Sequence, residues 1–134
     1  MPALLEPQTT LMQVKPPEDT TVLIVEDNAI IALDVEDILR QLGIATVLVE
    51  SQVASALRRI EAEAISLAII DIKIGESTGF PVAERLKTLG IPFVFASGYG
   101  ADTILPVVFH GTTIIAKPFS EEGMATVLEL LNRS

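Results

Sequence analysis

Short apolar runs alternate along the chain with segments in which apolar residues recur every three or four positions. Runs of this length predict strands that are buried on both faces, as in a parallel sheet. The three- and four-residue steps predict amphipathic helices between them. The predicted strands are Thr21–Val25, Ile44–Val49, Leu67–Asp71, Ile91–Ala96 and Thr113–Ala116. This alternation predicts an α/β fold with a five-stranded parallel sheet, right-handed crossovers and helices on both faces.

Glycine, proline and small polar residues mark the ends of the predicted helices. Gly43 and Gly90 follow the apolar stripes of the first and third helices, where glycine commonly ends a helix. Pro81 suits the first turn of the third helix. Ser51 and Ser120 are the predicted N-caps of the second and last helices.

Two segments lack a clear period. Residues 1–20 contain four prolines among scattered polar residues, so we expect a flexible leader before a single domain at 21–134. Residues 99–110 contain Pro106, and the helix there should be short or irregular.

The charge balance excludes several classes of partner. Nine Lys and Arg residues stand against 18 Asp and Glu, a formal charge of -9, which disfavours nucleic acid and anionic membranes. The chain has no cysteine and therefore no disulfide or thiol chemistry. Neither a signal peptide nor an uncharged run of membrane-spanning length is present, so the expected location is the cytoplasm.

Polar side chains cluster where the predicted strands end. Glu26 and Asp27 follow the first strand, Asp71 ends the third, Ser97 follows the fourth and Lys117 follows the fifth. Because the carboxyl ends of parallel strands share one edge of the sheet, these side chains should form one site. Adjacent carboxylates repel one another unless a cation lies between them. A donor set made only of oxygen favours Mg²⁺.

This combination predicts phosphoryl chemistry at Asp71. A cation held by the three carboxylates keeps positions open for phosphoryl oxygens, and Asp71 can then act as the nucleophile that forms an aspartyl phosphate. The cation and the Lys117 ammonium would neutralise charge on those oxygens. The Ser97 hydroxyl can donate a hydrogen bond to one of them.

Four sequence motifs together resemble the receiver domain of two-component response regulators. They are Val25-Glu26-Asp27-Asn28, the apolar strand ending at Asp71, Ala96-Ser97-Gly98, and Ala116-Lys117-Pro118-Phe119. The resemblance runs from about Thr21 to the C-terminus. It implies a flavodoxin-like (βα)5 fold, a three-layer sandwich with strand order 2-1-3-4-5.

The resemblance also implies a role in phosphorelay signalling. Asp71 would be phosphorylated by a sensor histidine kinase or a phosphotransfer protein, and Lys117 would contact the phosphoryl group. The implied Mg²⁺ ligands are Glu26, Asp27, Asp71 and the backbone carbonyl of Lys73. A cis peptide bond is implied before Pro118. Such a protein catalyses only its own phosphorylation and dephosphorylation, and it signals through a downstream protein that the sequence does not identify. We expect a monomer or a weak dimer.

Two positions depart from the usual receiver pattern. Receivers usually carry Tyr or Phe three residues before the lysine as a rotating switch, and here that residue is Ile114. The string Pro92–Gly100 resembles a subgroup named for Phe-Ala-Thr-Gly-Tyr, with Ser in place of Thr, which typically consists of single-domain regulators. Tyr99 either replaces the missing switch aromatic or is an ordinary half-buried loop residue. Gly75 stands near a position where many receivers have proline, which predicts a more mobile loop.

Two alternative functions compete with phosphoryl signalling. A receiver fold can act as an adaptor whose binding does not depend on phosphorylation, and Ile114 leaves room for this alternative. The second alternative is an aspartate-nucleophile phosphatase, which would use the carboxylate at the end of the third strand, Asp71, as its nucleophile. Such enzymes carry a second Asp two residues later, where this chain has Lys73.

Overall fold

Five parallel strands form the central sheet in a computed structural model that describes residues 18–98, 105–117, 123, 125–127 and 129–130. The strands of this sheet are β1 (Thr21–Val25), β2 (Thr46–Glu50), β3 (Leu67–Asp71), β6 (Phe93–Ser97) and β7 (Ile114–Ala116). Two further short strands, β4 (Lys73–Ile74) and β5 (Ser77–Thr78), pair only with each other. The sheet order is β2-β1-β3-β6-β7, which is the predicted order 2-1-3-4-5 once this hairpin is set aside. The prediction of a flavodoxin-like fold is confirmed.

Helices cross over between consecutive strands of the sheet. They are α1 (Ala29–Gln41), α2 (Val53–Ala62) and α3 (Phe80–Leu89). A 3-10 helix at Val107–Phe109 lies in the segment where a short helix was expected. Residues 123, 125–127 and 129–130 are also helical. Within the described part of the chain, no helix has the length and apolar character needed to cross a membrane.

The core consists of two layers of apolar side chains, one on each face of the sheet. Val22 and Ile24 of β1 pack with α1 on one face. Leu23 and Val25, which alternate with them, pack with α2 and α3 on the other face. The central strands are therefore apolar except at their ends, because neither face meets water. Such packing leaves the carboxyl edge of the sheet as the place where these strands present polar residues.

The helix ends agree with the sequence at most positions and disagree at one. Gly43 and Gly90 adopt positive φ values of 99° and 74° just after α1 and α3, and Pro81 lies in the first turn of α3. The prediction that Ser51 caps α2 is wrong, because the N-cap is Gln52 and no side chain caps this helix. The predicted leader at 1–20 and the predicted cap at Ser120 stay predictions, since residues 1–17 and 118–122 lie outside the described residues.

The β4–β5 hairpin is a feature that hydrophobic periodicity did not predict. Lys73 pairs with Thr78 and Ile74 with Ser77, which leaves Gly75 and Glu76 as a two-residue turn. Gly75 has a φ of 59°, a conformation that glycine adopts without steric cost. The hairpin connects the end of β3 directly to the beginning of α3.

Candidate functional site

The polar residues expected at the strand ends meet at the carboxyl edge of the sheet. Asp71 is the last residue of β3 and Ser97 the last of β6. Glu26 and Asp27 directly follow β1, and Lys117 directly follows β7. All of them line one cavity of about 730 Å³. Four strands thus deliver their terminal side chains to one place.

Three carboxylates in this cavity are close enough to share a cation. Glu26, Asp27 and Asp71 each offer an oxygen, and these oxygens lie within 4.8 Å of one another. Glu26 and Asp71 are only 5% and 7% exposed, whereas Asp27 is exposed. No other such group of three His, Cys, Asp or Glu occurs among the described residues. Because the donors are all carboxylate oxygens, the cluster fits a hard ion such as Mg²⁺.

The Lys117 ammonium bridges two of these carboxylates. Its Nζ donates to Glu26 Oε1 at 3.0 Å and to Asp71 Oδ2 at 3.1 Å. The side chain of Lys117 is 13% exposed. Burial alone would lower the pKa of Lys117, but the two hydrogen bonds and the attraction of both carboxylates together raise it. Lys117 is therefore charged at neutral pH and offsets part of the negative charge of the cluster.

Glu26 experiences opposing influences on its protonation. Burial raises its pKa most strongly, and the charge of Asp71 raises it further. The hydrogen bonds from the Asn28 N–H and from Lys117 oppose this shift without cancelling it. The carboxylate of Glu26 is thus held in the site at an electrostatic cost, which a bound cation would relieve.

Asn28 ties the carboxylate loop to the start of α1. Its backbone N–H donates to Glu26 Oε2 at 3.0 Å. Its side-chain oxygen accepts from the N–H groups of Ile30 and Ile31 at 3.0 and 3.1 Å, and so caps the helix. We did not predict this cap, although an Asn just before an apolar helical stripe was a sufficient signal for it.

The β4–β5 hairpin contacts the site through its backbone. The Gly75 N–H donates to Asp27 Oδ2 at 2.8 Å, and the Lys73 N–H donates to Asp71 Oδ1 at 3.3 Å. Gly79, just after the hairpin, packs so closely that a Cβ would overlap the carbonyl oxygen of Asp71 and a methyl group of Ile70. Gly75 and Gly79 therefore belong to the site, and sequence reasoning assigned neither a contact with it.

Ser97 and Lys73 also lie at the cavity. Ser97 is buried, and its carbonyl oxygen accepts from the Lys117 N–H at 3.0 Å, which aligns the ends of β6 and β7. Lys73 lines the cavity beside Asp71. The role of its carbonyl as a metal ligand stays a prediction.

Ile114 lies where receivers usually have the switch aromatic. It is half-buried in β7 opposite Phe95 and packs against the apolar layer that contains Phe95 and Phe109. Four phenylalanine rings within that layer make five pairwise contacts, with centroids 5.4 to 6.1 Å apart: Phe80, Phe93, Phe95 and Phe109. Tyr99 and Pro118 lie outside the described residues, so their predicted roles stay predictions.

A comparison with known protein families shows which family the chain belongs to. The model of the response regulator receiver domain matches residues 22–129. The chain belongs to this family. Membership places the protein in two-component signalling, and receiver domains generally bind Mg²⁺ at an acidic pocket of this kind. Receivers interact with histidine kinases or phosphotransfer proteins and with downstream partners.

Several solved receivers are similar to this one. SdrG from Sphingomonas melonis Fr1 shares 40% identity over 84% of this chain and 96% of its own, with a TM-score of 0.73. The BeF3-activated conformation of SdrG from Pseudomonas melonis Fr1 shares 36% identity over 92% of this chain and 98% of its own, with a TM-score of 0.70. The PhyR receiver domain from Erythrobacter litoralis shares 26% identity over 84% of this chain and 90% of its own, with a TM-score of 0.68. A comparison with curated proteins gave no match.

Proposed function

We propose that this receiver is a single-domain response regulator that accepts a phosphoryl group on Asp71. The donor is the phosphohistidine of a sensor histidine kinase or of a phosphotransfer protein, and the reaction depends on Mg²⁺. The observation that carries this proposal is the contact of the buried Asp71 carboxylate with Lys117 beside Glu26 and Asp27. A structural carboxylate would need only a partner, whereas this one lies in a cavity with two further acids.

The reaction transfers a phosphoryl group from an imidazole nitrogen of the donor to a carboxylate oxygen of Asp71. A carboxylate oxygen of Asp71 forms a bond to phosphorus as the bond between phosphorus and the donor imidazole nitrogen breaks. The imidazole leaves with the electron pair of that bond, and the phosphoryl group remains on Asp71 as an acyl phosphate. Positioning and charge stabilisation supply most of the catalysis in such a transfer.

The residues around Asp71 supply that positioning. Glu26, Asp27 and Asp71 would hold the Mg²⁺, which neutralises charge on the phosphoryl oxygens when it is bound. Lys117 can keep its contact with Glu26 and turn its hydrogen bond with Asp71 to a phosphoryl oxygen. Ser97, buried at the same cavity, can donate a hydrogen bond from its hydroxyl group to another phosphoryl oxygen.

The output of the protein is protein–protein interaction. We propose that it acts on no separate substrate and catalyses only its own phosphorylation and dephosphorylation. The string Pro92–Gly100 supports a place in the Phe-Ala-Thr-Gly-Tyr subgroup of single-domain regulators.

Beryllofluoride, which mimics an aspartyl phosphate, tests this function. We expect the backbone amide NMR spectrum of the wild-type protein to change when beryllofluoride and Mg²⁺ are added. The spectrum of Asp71→Asn should stay unchanged. If a pull-down recovers the same protein with wild type and Asp71→Asn, with and without beryllofluoride, the adaptor function holds instead.

A further inference from the structure

The hydrogen bond between Gly75 and Asp27 joins two loops that are 48 positions apart in the chain. The Gly75 N–H lies 2.8 Å from Asp27 Oδ2, a short distance typical of a hydrogen bond to a charged acceptor. Gly75 can direct its N–H there because it takes a φ of 59° in the β4–β5 turn. A proline at this position would have no N–H to donate.

Asp27 depends on this contact more than the other two acids depend on any one of theirs. Both oxygens of Glu26 accept hydrogen bonds, from Asn28 and Lys117, and both oxygens of Asp71 do so, from Lys73 and Lys117. For Asp27, the Gly75 N–H is the one hydrogen-bond partner found among the described residues. The side chain of Asp27 is also exposed, so packing does not fix its rotamer.

A carboxylate that binds a metal through one oxygen commonly accepts a hydrogen bond on the other, and this second bond orients it. We propose that the Gly75 N–H is a positioning group that holds Asp27 in the orientation required for the cation. Through it, the β4–β5 hairpin sets the Mg²⁺ affinity of the site. This inference rests on the proposed function, because it assumes that Mg²⁺ binds at Glu26, Asp27 and Asp71.

The alternative outcome is a change of Mg²⁺ affinity in the opposite direction. If the Gly75 N–H competed with the cation for Asp27, the bond would break on Mg²⁺ binding and its removal would tighten affinity. The two oxygens of a carboxylate can serve one partner each, so the bond and the cation are compatible, and we expect Mg²⁺ binding to preserve it.

The decisive experiment is a Mg²⁺ titration by calorimetry, with no phosphoryl donor, on wild type and three Gly75 variants. Gly75→Pro removes the N–H, and because proline cannot adopt the φ of 59° it also changes the shape of the turn. Gly75→Asn keeps it and tolerates positive φ, and Gly75→Ala keeps it with some backbone strain but no steric overlap. We expect Gly75→Pro to bind Mg²⁺ about tenfold or more weakly than wild type, as for other lost supports of a metal ligand. Gly75→Asn and Gly75→Ala should stay within about threefold of wild type.

Each other result overturns the inference. Equal or tighter binding by Gly75→Pro shows that the N–H does not position Asp27, and equally weak binding by all three variants assigns the effect to the shape of the turn. If wild type itself binds no Mg²⁺, the proposed function fails first.

A measurement on wild type alone separates the hydrogen bond from the shape of the turn, and it also serves if Gly75→Pro does not fold. Hydrogen exchange of the Gly75 amide should be slow without Mg²⁺ and should stay slow at saturating Mg²⁺. Faster exchange on Mg²⁺ binding would mean that the bond breaks, which contradicts the positioning role.

Discussion

The Lys117 ammonium lies 3.1 Å from Asp71 Oδ2, although 46 positions separate the two residues. The same nitrogen lies 3.0 Å from Glu26 Oε1. One positive charge therefore serves two buried carboxylates, while a third carboxylate, Asp27, lies within the same cluster. The cluster keeps a surplus of negative charge, and from this surplus we expect both an affinity for a cation and a sensitivity to substitution.

Replacing Lys117 should make the folded protein depend on Mg²⁺. In Lys117→Met, Glu26 and Asp71 lose their shared cation, and leaving such groups unpaired costs about 1–3 kcal/mol of the free energy of unfolding. Mg²⁺ supplies positive charge at the same carboxylates, so it should recover more stability in the variant than in wild type. Urea denaturation with Mg²⁺ and with a chelator measures both effects. Equal stability of the two proteins in chelator would show that the bridge contributes nothing.

Glu26 should make the Mg²⁺-free protein less stable as pH rises. Burial and the charge of Asp71 raise its pKa above the ordinary value of 4.5. Between 4.5 and the folded pKa, the folded state binds more protons than the unfolded state, so the free energy of unfolding falls as pH increases through that window. Denaturation in chelator at a series of pH values should show this fall in wild type, and Glu26→Gln should flatten it. An unchanged slope in Glu26→Gln would assign the pH dependence to another group.

Gly79 should tolerate no side chain. A Cβ there would overlap the Asp71 carbonyl oxygen and a methyl group of Ile70, so Gly79→Ala has to displace the start of α3 from the end of β3. Overpacking of this kind costs about 1–3 kcal/mol, and we expect Gly79→Ala to slow phosphorylation as well as to lower stability. Gly98→Ala is the matched control, because a Cβ at Gly98 meets nothing within 4 Å. Its stability should change by no more than about 0.5 kcal/mol. Equal loss of stability in the two variants would contradict this account.

Sequence pattern alone predicted the five-stranded parallel sheet and the residues that meet at the strand ends, for a physical reason, whereas the strand order came from the resemblance to receivers. Each central strand is buried on both faces, so its apolar run stops where the backbone reaches water. The first polar residue after each run, such as Asp71 or Lys117, therefore marks the carboxyl edge of the sheet. Because the topology of the sheet brings the strand ends together, the apolar periodicity of the sequence is enough to locate the site there.

Contacts that depend on backbone groups in turns were not predictable in this way. The Gly75 N–H reaches Asp27 only because a two-residue turn places it there, and no side-chain pattern records a backbone donor. Ser51 was wrongly assigned as the cap of α2 because Ser51 and Gln52 are adjacent polar residues, and the helix begins one position later than a Ser51 cap requires. Helix boundaries are uncertain by such small shifts.

The central claim is that Asp71 accepts a phosphoryl group in a Mg²⁺-dependent reaction. The most direct measurement is intact-protein and peptide mass spectrometry after incubation with acetyl phosphate, with Mg²⁺ and with a chelator, on wild type and Asp71→Asn. We predict one added phosphoryl group on wild type, located at Asp71, that requires Mg²⁺ and is absent from Asp71→Asn. A wild-type protein that stays unmodified with Mg²⁺, or an equal gain of mass in Asp71→Asn, would contradict the account.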